Sequence, residues 1–598
     1  MPVSPNTAAE GVLRVTVYSN GTALPDTVAA NVVSVTVNRM VNAIPYARLV
    51  VADGDMATLA FPISDATQFK PGAQIRIDAG YGDTQVTIFQ GVVMRHGLKI
   101  GGPNYSRLVI ECRDKAAAMT VGRKNANYVD QKDSDVLSTL FSAAGLTADV
   151  QATSAQNPEI VQYYCTDWDF ALARAEANGM LVIVTDGKVS VKPPQVSGSA
   201  ALSVTYGTDL MEFEADIDAR TQLSAAQAVA WDPKTQTALQ GGQASPPTLN
   251  AQGDLAASEL AKVLGLSNYR LQTAAPVDAA GLKTWADAQQ LKAGLARVRG
   301  RMKFQGNAQA TVGGLVQLAG VGAHFSGTVY VTAVTHELHN GNWTTDAEFG
   351  LSPQWMTQRD DVVAPPAAGL LPGVEGLQIG VVMKLDGDPG GEQRVQVSTP
   401  VMQAQTDGVW ARLAKFYGSN TFGAFFIPEV GDEVVLGYLN NDPSYPVILG
   451  SLYSSKHTPP YALEAQNNTK AIVTRCKHKV EFDEQNKIIT ITTPTANKMI
   501  LSDQGKSIQL LDQNGNKVEL TPSGISLDSP KNIQLTAKGT ITLDAVGAIT
   551  ITSKADVKSE GLNVNCQAQV GFSAKGAATA ELSATGQTTV KGAMVMIN

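Results

Sequence analysis

The chain has 598 residues, 44% hydrophobic and 17% charged, with 54 glycines against 6 tryptophans. That length exceeds what one hydrophobic core organises, so several domains of about 100 to 200 residues each are expected, and the composition excludes wholesale disorder. Forty-six basic against 54 acidic residues leave a formal charge of -8, which excludes recruitment of nucleic acid or an anionic membrane by bulk electrostatics.

Four cysteines, Cys112, Cys165, Cys476 and Cys566, lie far apart with no CxxC spacing. Neither a disulfide framework nor a zinc knuckle fits that spread, so a reducing compartment is expected. The N-terminal stretch MPVSPNTAAEGVLRVTVYSNG lacks the basic and apolar regions of a secretory signal, and no window approaches about 18 uninterrupted apolar residues. Synthesis in the cytoplasm, with neither a signal peptide nor a conventional transmembrane helix, is the expectation.

Residues 11–120 read as short alternating strands (LRVTVYS, VVSVTVNR, AQIRIDAGY, QVTIFQGVVM, SRLVIECRD) broken by turn residues, an antiparallel domain expected to close as a barrel. Two helices follow. The first, 133–144, places Val136, Leu137, Leu140 and Phe141 on one face with Asp and Ser at its cap; the second, 167–179, starts on Asp and stops at Asn178 and Gly179. A hairpin, LVIVTDGKVSV, comes next. A second β domain runs over about 200–355, interrupted by a Gln/Ala/Ser/Pro-rich stretch at 235–255, read as an exposed loop, and by a helix at 282–298 with Leu282, Trp285, Leu291, Leu295 and Val298 facing one way. These two domains with their helical insertions make up 1–359. The Pro- and Gly-rich segment 360–376 reads as a linker, and 377–455 has the size and turn punctuation of a small closed barrel of the oligonucleotide/oligosaccharide-binding type. Residues 456–480 are expected to connect it to a final domain, 481–598.

In that final domain aliphatic pairs recur every eight residues: Ile525/Leu527, Ile533/Leu535, Ile541/Leu543 and Ile549/Ile551, with Gly539 and Gly547 in one phase. A fixed short period is the signature of a β-solenoid. Two aliphatics per octad bury too little surface to offset the ordering of eight residues, so the strands must share a core and hydrogen bonds with other faces. A triangular prism supplies them, wound from one chain or from three. Three intertwined chains are favoured, because octads leave few residues for the corner loops of a single-chain solenoid.

The stretch IVQYYCTDWDFALARAEANGMLVIVTDGKVSV (160–191) resembles the pattern of VgrG spike proteins and phage late-control D proteins, through Gln162, Tyr163, Asp167, Asp169, Phe170, Arg174, Glu176 and Gly179. Residues 409–453 resemble the family's barrel signature through Trp410, Arg412, Gly423, Pro428, Gly431, Asp432, Glu433, Val434, Asp442, Pro443, Pro446 and Gly450, and 313–350 are similar to the closing strands of its hub. The resemblance implies a mainly β protein: a trimeric, pseudo-sixfold hub of β-barrel modules with helical insertions, the small barrel, and an intertwined three-chain β-prism. It implies the central spike of a contractile injection machine, with inner tube and baseplate proteins around the hub, a PAAR-type protein on the tip, and a target membrane met transiently. The wording DWDFALARAEANGMLVIV is most similar to spikes of extracellular or thylakoid-type contractile systems, with type VI secretion or a phage tail as the other settings.

No enzyme, cofactor or metal is expected. His336 and His339 form HELH in a strand, where residues i and i+3 face opposite sides and cannot chelate one ion. Asp167, Asp169 and Glu176 suggest paired carboxylates, but Asp at a helix start is the ordinary capping choice. About 20 residues between Tyr453 and the first prism strand leave no room for the lysozyme domain that some phage spikes carry there. GGPN (101–104) and GDPGG (387–391) lack the context of a phosphate cradle and read as turns. Trp410 with Arg412 would suit a nucleic-acid strand. The acidic 429–433 loop opposes that reading, and Trp410 is expected to pack in the barrel. A carbohydrate-active β-helix enzyme and a barrel-based adhesin are the competing classes. At the C-terminus, Met594, Val595, Met596, Ile597 and Asn598 in three copies would make a blunt apolar seat for a tip partner.

Overall fold

The computed structural model describes residues 2–9, 11–102, 105–402 and 408–597, and the chain divides into two compact units, Met1–Leu452 and Tyr453–Asn598. No helix of the described residues is long and apolar enough to cross a membrane.

In the first unit the alternating N-terminal segments form strands at Leu13–Ser19, Val32–Met40, Tyr46–Ala52, Gln74–Tyr81, Val86–Gly101 and Tyr105–Arg113. Their inward positions, among them Val37, Leu49, Ile75, Ile77, Phe89, Leu108 and Ile110, are buried together. The two β domains read from sequence are joined rather than separate. Gly327–His339 pairs with Val32–Met40, His336 opposite Val37, and so ties the late strands to the early ones in one 13-stranded sheet among the described residues. Sequence periodicity shows which face of a strand is buried but not which distant edge it pairs with.

Helices occupy Asp133–Ala143, Asp167–Ala177 and Ala279–Leu295, and a further one, Ala257–Leu264, carries no sequence expectation above. Val136, Leu137, Leu140 and Phe141 are buried against Trp168, Phe170, Ala171 and Leu172, so the first two helices pack face to face beside the 181–192 hairpin. The 235–255 stretch is not a free loop. Thr237–Gln240 pairs with Ala226–Asp232, Ser245 donates its N–H to Asp287 at 2.7 Å, and Arg297 donates to the Gln252 carbonyl at 2.7 Å, so the segment straps the Ala279–Leu295 helix. Its partners are tertiary, which is why composition alone reads it as loose.

Strands at Gln378–Lys384, Val395–Ser398, Val409–Leu413, Glu433–Tyr438 and Pro446–Ser451 close a small barrel around Val382, Val395, Val397, Ala411, Val434, Leu436 and Ile448. GDPGG is a turn organised by Asp388, which accepts the N–H groups of Gly390 and Glu392 and the guanidinium of Arg394. In GGPN, Pro103 and Asn104 lie outside the described residues.

The second unit opens earlier than the stretch 481–598. Seven five-residue strands, from Thr469–Val473 to Gly524–Asp528, form one antiparallel meander in which each strand pairs with the next. Beyond Asp528 the described residues, 529–597, contain no strand and make no backbone–backbone hydrogen bond.

Candidate functional site

The carboxylates of the 160–191 motif are all engaged in bracing. Thr166, not Asp167, caps the second helix, its hydroxyl accepting the Asp169 N–H at 3.0 Å. Asp167 sits one position inside, buried, in an ion pair with Lys124 and accepting from Gln162 Nε2 at 3.0 Å. Asp133 likewise does not cap its helix. Its carboxylate takes Arg174 through Nε and a terminal nitrogen at 2.6 and 2.8 Å, and Asn178 at 2.8 Å. Glu176 pairs with Lys292 and accepts the Met356 N–H at 2.6 Å. Phe170 is buried and stacks on Tyr128 at 5.8 Å, whereas Tyr163 is exposed and takes no part. These contacts join segments far apart in sequence, and Asp169 also lines a cavity with Asp361 and Arg359.

The histidines separate as strand parity requires. His336 is buried, its Nδ1 receiving the Trp343 indole N–H at 3.3 Å beside the Thr345 hydroxyl at 3.0 Å, while His339 is exposed. Burial, with the Arg39 charge adding to it, pushes the His336 pKa down to about 3. Among the described residues no group of three or more His, Cys, Asp or Glu is placed to hold a metal ion.

In the barrel, Ala411 points into the core and its neighbours Trp410 and Arg412 point out, so Trp410 is half-buried on the outer surface rather than packed inside. The turn residues of the signature fix loops. Gly431 has a φ of +91° and donates to the Val382 carbonyl at 2.8 Å, Asp432 accepts the Glu429 N–H at 2.8 Å, and Glu433 begins the next strand. Asp442 accepts the Ser444 N–H at 2.8 Å, Pro443 follows it, and Pro446 is buried opposite Tyr438; Pro428 is half-buried ahead of this acidic turn.

The feature without a partner is apolar. Register in the meander sets Ile472, Val480, Ile491, Met499, Leu510, Val518 and Leu527 in one row across the seven strands, and Phe482, Ile489, Leu501, Ile508, Leu520 and Ile525 in a second row beside it. Both rows lie on one face, because residues two apart in a strand point the same way. That face is uncovered: Ile491 is 43% exposed, Leu510 48% and Leu527 55%. The octad pairs begin on its last strand and run on along the sequence. Ile525, Leu527, Ile533, Leu535, Ile541, Leu543, Ile549 and Ile551 are all exposed, as are Met594, Val595, Met596 and Ile597; Asn598 lies outside the described residues. The rows within the meander escape an octad search because its strands begin nine or ten residues apart up to Lys517, and the eight-residue spacing of the aliphatic pairs starts only at Ile525.

The profile of the Alg8 N-terminal domain family matches residues 9–340, more than half of the chain. The chain belongs to the Alg8 N-terminal domain family. Behind that domain, residues 378–453 match the type VI secretion system/phage-baseplate injector OB domain, which coincides with the closed barrel. The type VI secretion system spike protein VgrG3 of Vibrio cholerae is 31% identical over 25% of this chain, and VgrG5 of Pseudomonas aeruginosa is 35% identical over 18%. This Alg8-type chain is thus VgrG-like, although the matched part spans about 14% of the length of each of those relatives. A solved component of the E. coli type VI secretion system is similar at 12% identity with a TM-score of 0.38, covering 73% of this chain and 99% of the other.

Proposed function

We propose that three copies of this chain form the central spike of a contractile injection machine. The observation that carries this reading is the uncovered pair of apolar rows on the meander, followed by octads in a segment that makes no backbone–backbone hydrogen bond among the described residues. An antiparallel sheet keeps one face on a core, and a lone apolar sheet face is an aggregation hazard unless it is covered. A sister chain offers a face of the same spacing, and three such faces close a prism without a free edge. The octads then run beside their counterparts, with Ile533, Leu535, Ile541, Leu543, Ile549 and Ile551 on the axis.

Such a body resists bending, because its hydrogen bonds cross-link chains along its whole length, and it can be driven through a membrane. In this reading 1–359 is the hub held by inner tube and baseplate proteins, 360–376 the linker, 377–455 the barrel, and the rest the spike. Met594 to Ile597 seat a PAAR-type tip protein, and the role is mechanical rather than catalytic. The chain is made in the cytoplasm and built into a contractile tail-like particle, released or membrane-anchored, with an extracellular or thylakoid-type system, type VI secretion and a phage tail as the candidate settings. The curated relatives named as type VI secretion system spike proteins support the spike role.

The test is co-sedimentation. The full chain should travel with contractile particles purified from the producing bacterium, and a chain carrying Ile541→Asp and Leu543→Asp should be lost from them. A wild-type chain found only free of any particle overturns the reading.

A further inference from the structure

The barrel carries a second uncovered surface, of different composition. The 414–432 connection between Val409–Leu413 and Glu433–Tyr438 holds Phe416, Tyr417, Phe422, Phe425 and Phe426 at 88, 57, 59, 86 and 55% exposure. These are five of the chain's 30 Phe and Tyr residues within eleven positions. A fully buried aromatic removes about 150 to 250 Å² from water, so at these exposures the loop presents on the order of 700 Å² of aromatic surface. Summed over the five side chains, that is of the order of the roughly 800 Å² per partner of a standard specific interface.

The loop is built rather than slack. Gly418 and Gly423 form a bridge, Ser419 donates to the Phe422 carbonyl and Ala424 to the Tyr417 carbonyl, each at 2.9 Å, and Lys415 reaches across to the Phe426 carbonyl. Tyr417 and Phe422 lie with ring centroids 6.0 Å apart. Gly423 has a φ of +146°, and a Cβ there would come within 2.8 Å of the Tyr417 carbonyl oxygen, so the hairpin needs glycine at this corner. A pre-formed aromatic loop binds without the ordering cost of a flexible one.

We propose that this loop docks on a second copy of the same chain, making an interface between first units that is separate from the apolar rows of the second unit. The proposal rests on the three-chain reading above, and that reading names the occupant. Residues 452–468 tie each barrel covalently to its meander. Joining the meanders therefore holds the barrels of sister chains at an effective concentration of about the millimolar range, at which even a weak aromatic contact is populated. Any other protein would have to compete with a neighbour that is always present.

The test uses the full chain with Cys476→Ser and Cys566→Ser, which removes the two exposed thiols, and with Phe425→Cys or, separately, Phe416→Cys. Both positions are solvent-exposed in the isolated chain, so neither substitution threatens folding. Maleimide should label either new thiol at least tenfold more slowly in the assembled protein than in the same variant carrying Ile541→Asp and Leu543→Asp. A benzoylphenylalanine at position 425 should give, on irradiation, a covalent dimer of this chain. A trimer in which the thiols introduced at positions 425 and 416 react at the free rate overturns the docking but leaves the three-chain spike intact. Protection without a covalent dimer, or a cross-link to a different protein, also overturns it, and a monomeric chain removes both readings.

Discussion

Glu176 and Lys292 stand 116 residues apart and share one ion pair that is nearly closed to solvent, the side chains 10 and 13% exposed. The second carboxylate oxygen of Glu176 holds the Met356 N–H, so a single side chain links two helices and the segment that leads out of the sheet. Removing one partner of a buried pair strands the other charge. Glu176→Gln is expected to cost about 3 kcal/mol, read as a lower denaturant midpoint, with the oligomeric state unchanged.

Thr166 is the cap of the Asp167–Ala177 helix, and Thr166→Ala should destabilise the chain by about 1 kcal/mol. Asp169→Asn should cost less in the same thermal melt, since its N–H, which receives the cap, is untouched. The reverse order would return the capping role to the aspartates.

His336 gives the fold a pH dependence of definite sign. Its pKa is about 3 when folded and near 6.5 as a free side chain, so between those values the unfolded chain binds the extra proton. The stability contributed by neutral His336 is complete above about pH 6.5 and is lost progressively as pH falls toward 3. Denaturant midpoints taken at pH 7 and pH 4 should differ less in His336→Gln than in the parent. Equal differences in the two proteins contradict the assignment.

The exposed ladder makes a sharper demand. Leu543 is 67% exposed in one chain, so Leu543→Asp should leave the melting of an isolated chain within about 0.5 kcal/mol of wild type. In an assembled prism the same change places three carboxylates on the axis and should abolish detergent resistance in gels run without boiling. A resistant variant would show that Leu543 lies on an outer face.

Much of the fold was legible because it follows local rules. The strand LRVTVYS and the helix bearing Val136, Leu137, Leu140 and Phe141 lie where alternation and 3.6-residue spacing put them. What was not legible depends on distant partners. Asp133 and Asp167 look like caps until Arg174 and Lys124 arrive to pair with them, and the strap around Gln252 needs Arg297. Trp410 was misplaced by a single step of strand parity, since Ala411 is the residue that turns inward. At the ladder the octads announced a face needing cover, while the meander preceding them, with its looser spacing, was visible only once its register was known.

The mass of the intact chain in solution bears most directly on all of this. Light scattering on the purified full-length protein should return three times the 62.9 kDa chain mass, independent of dilution. A particle of one chain mass, with the residues from Ile525 to Ile551 still open to solvent, would contradict the account.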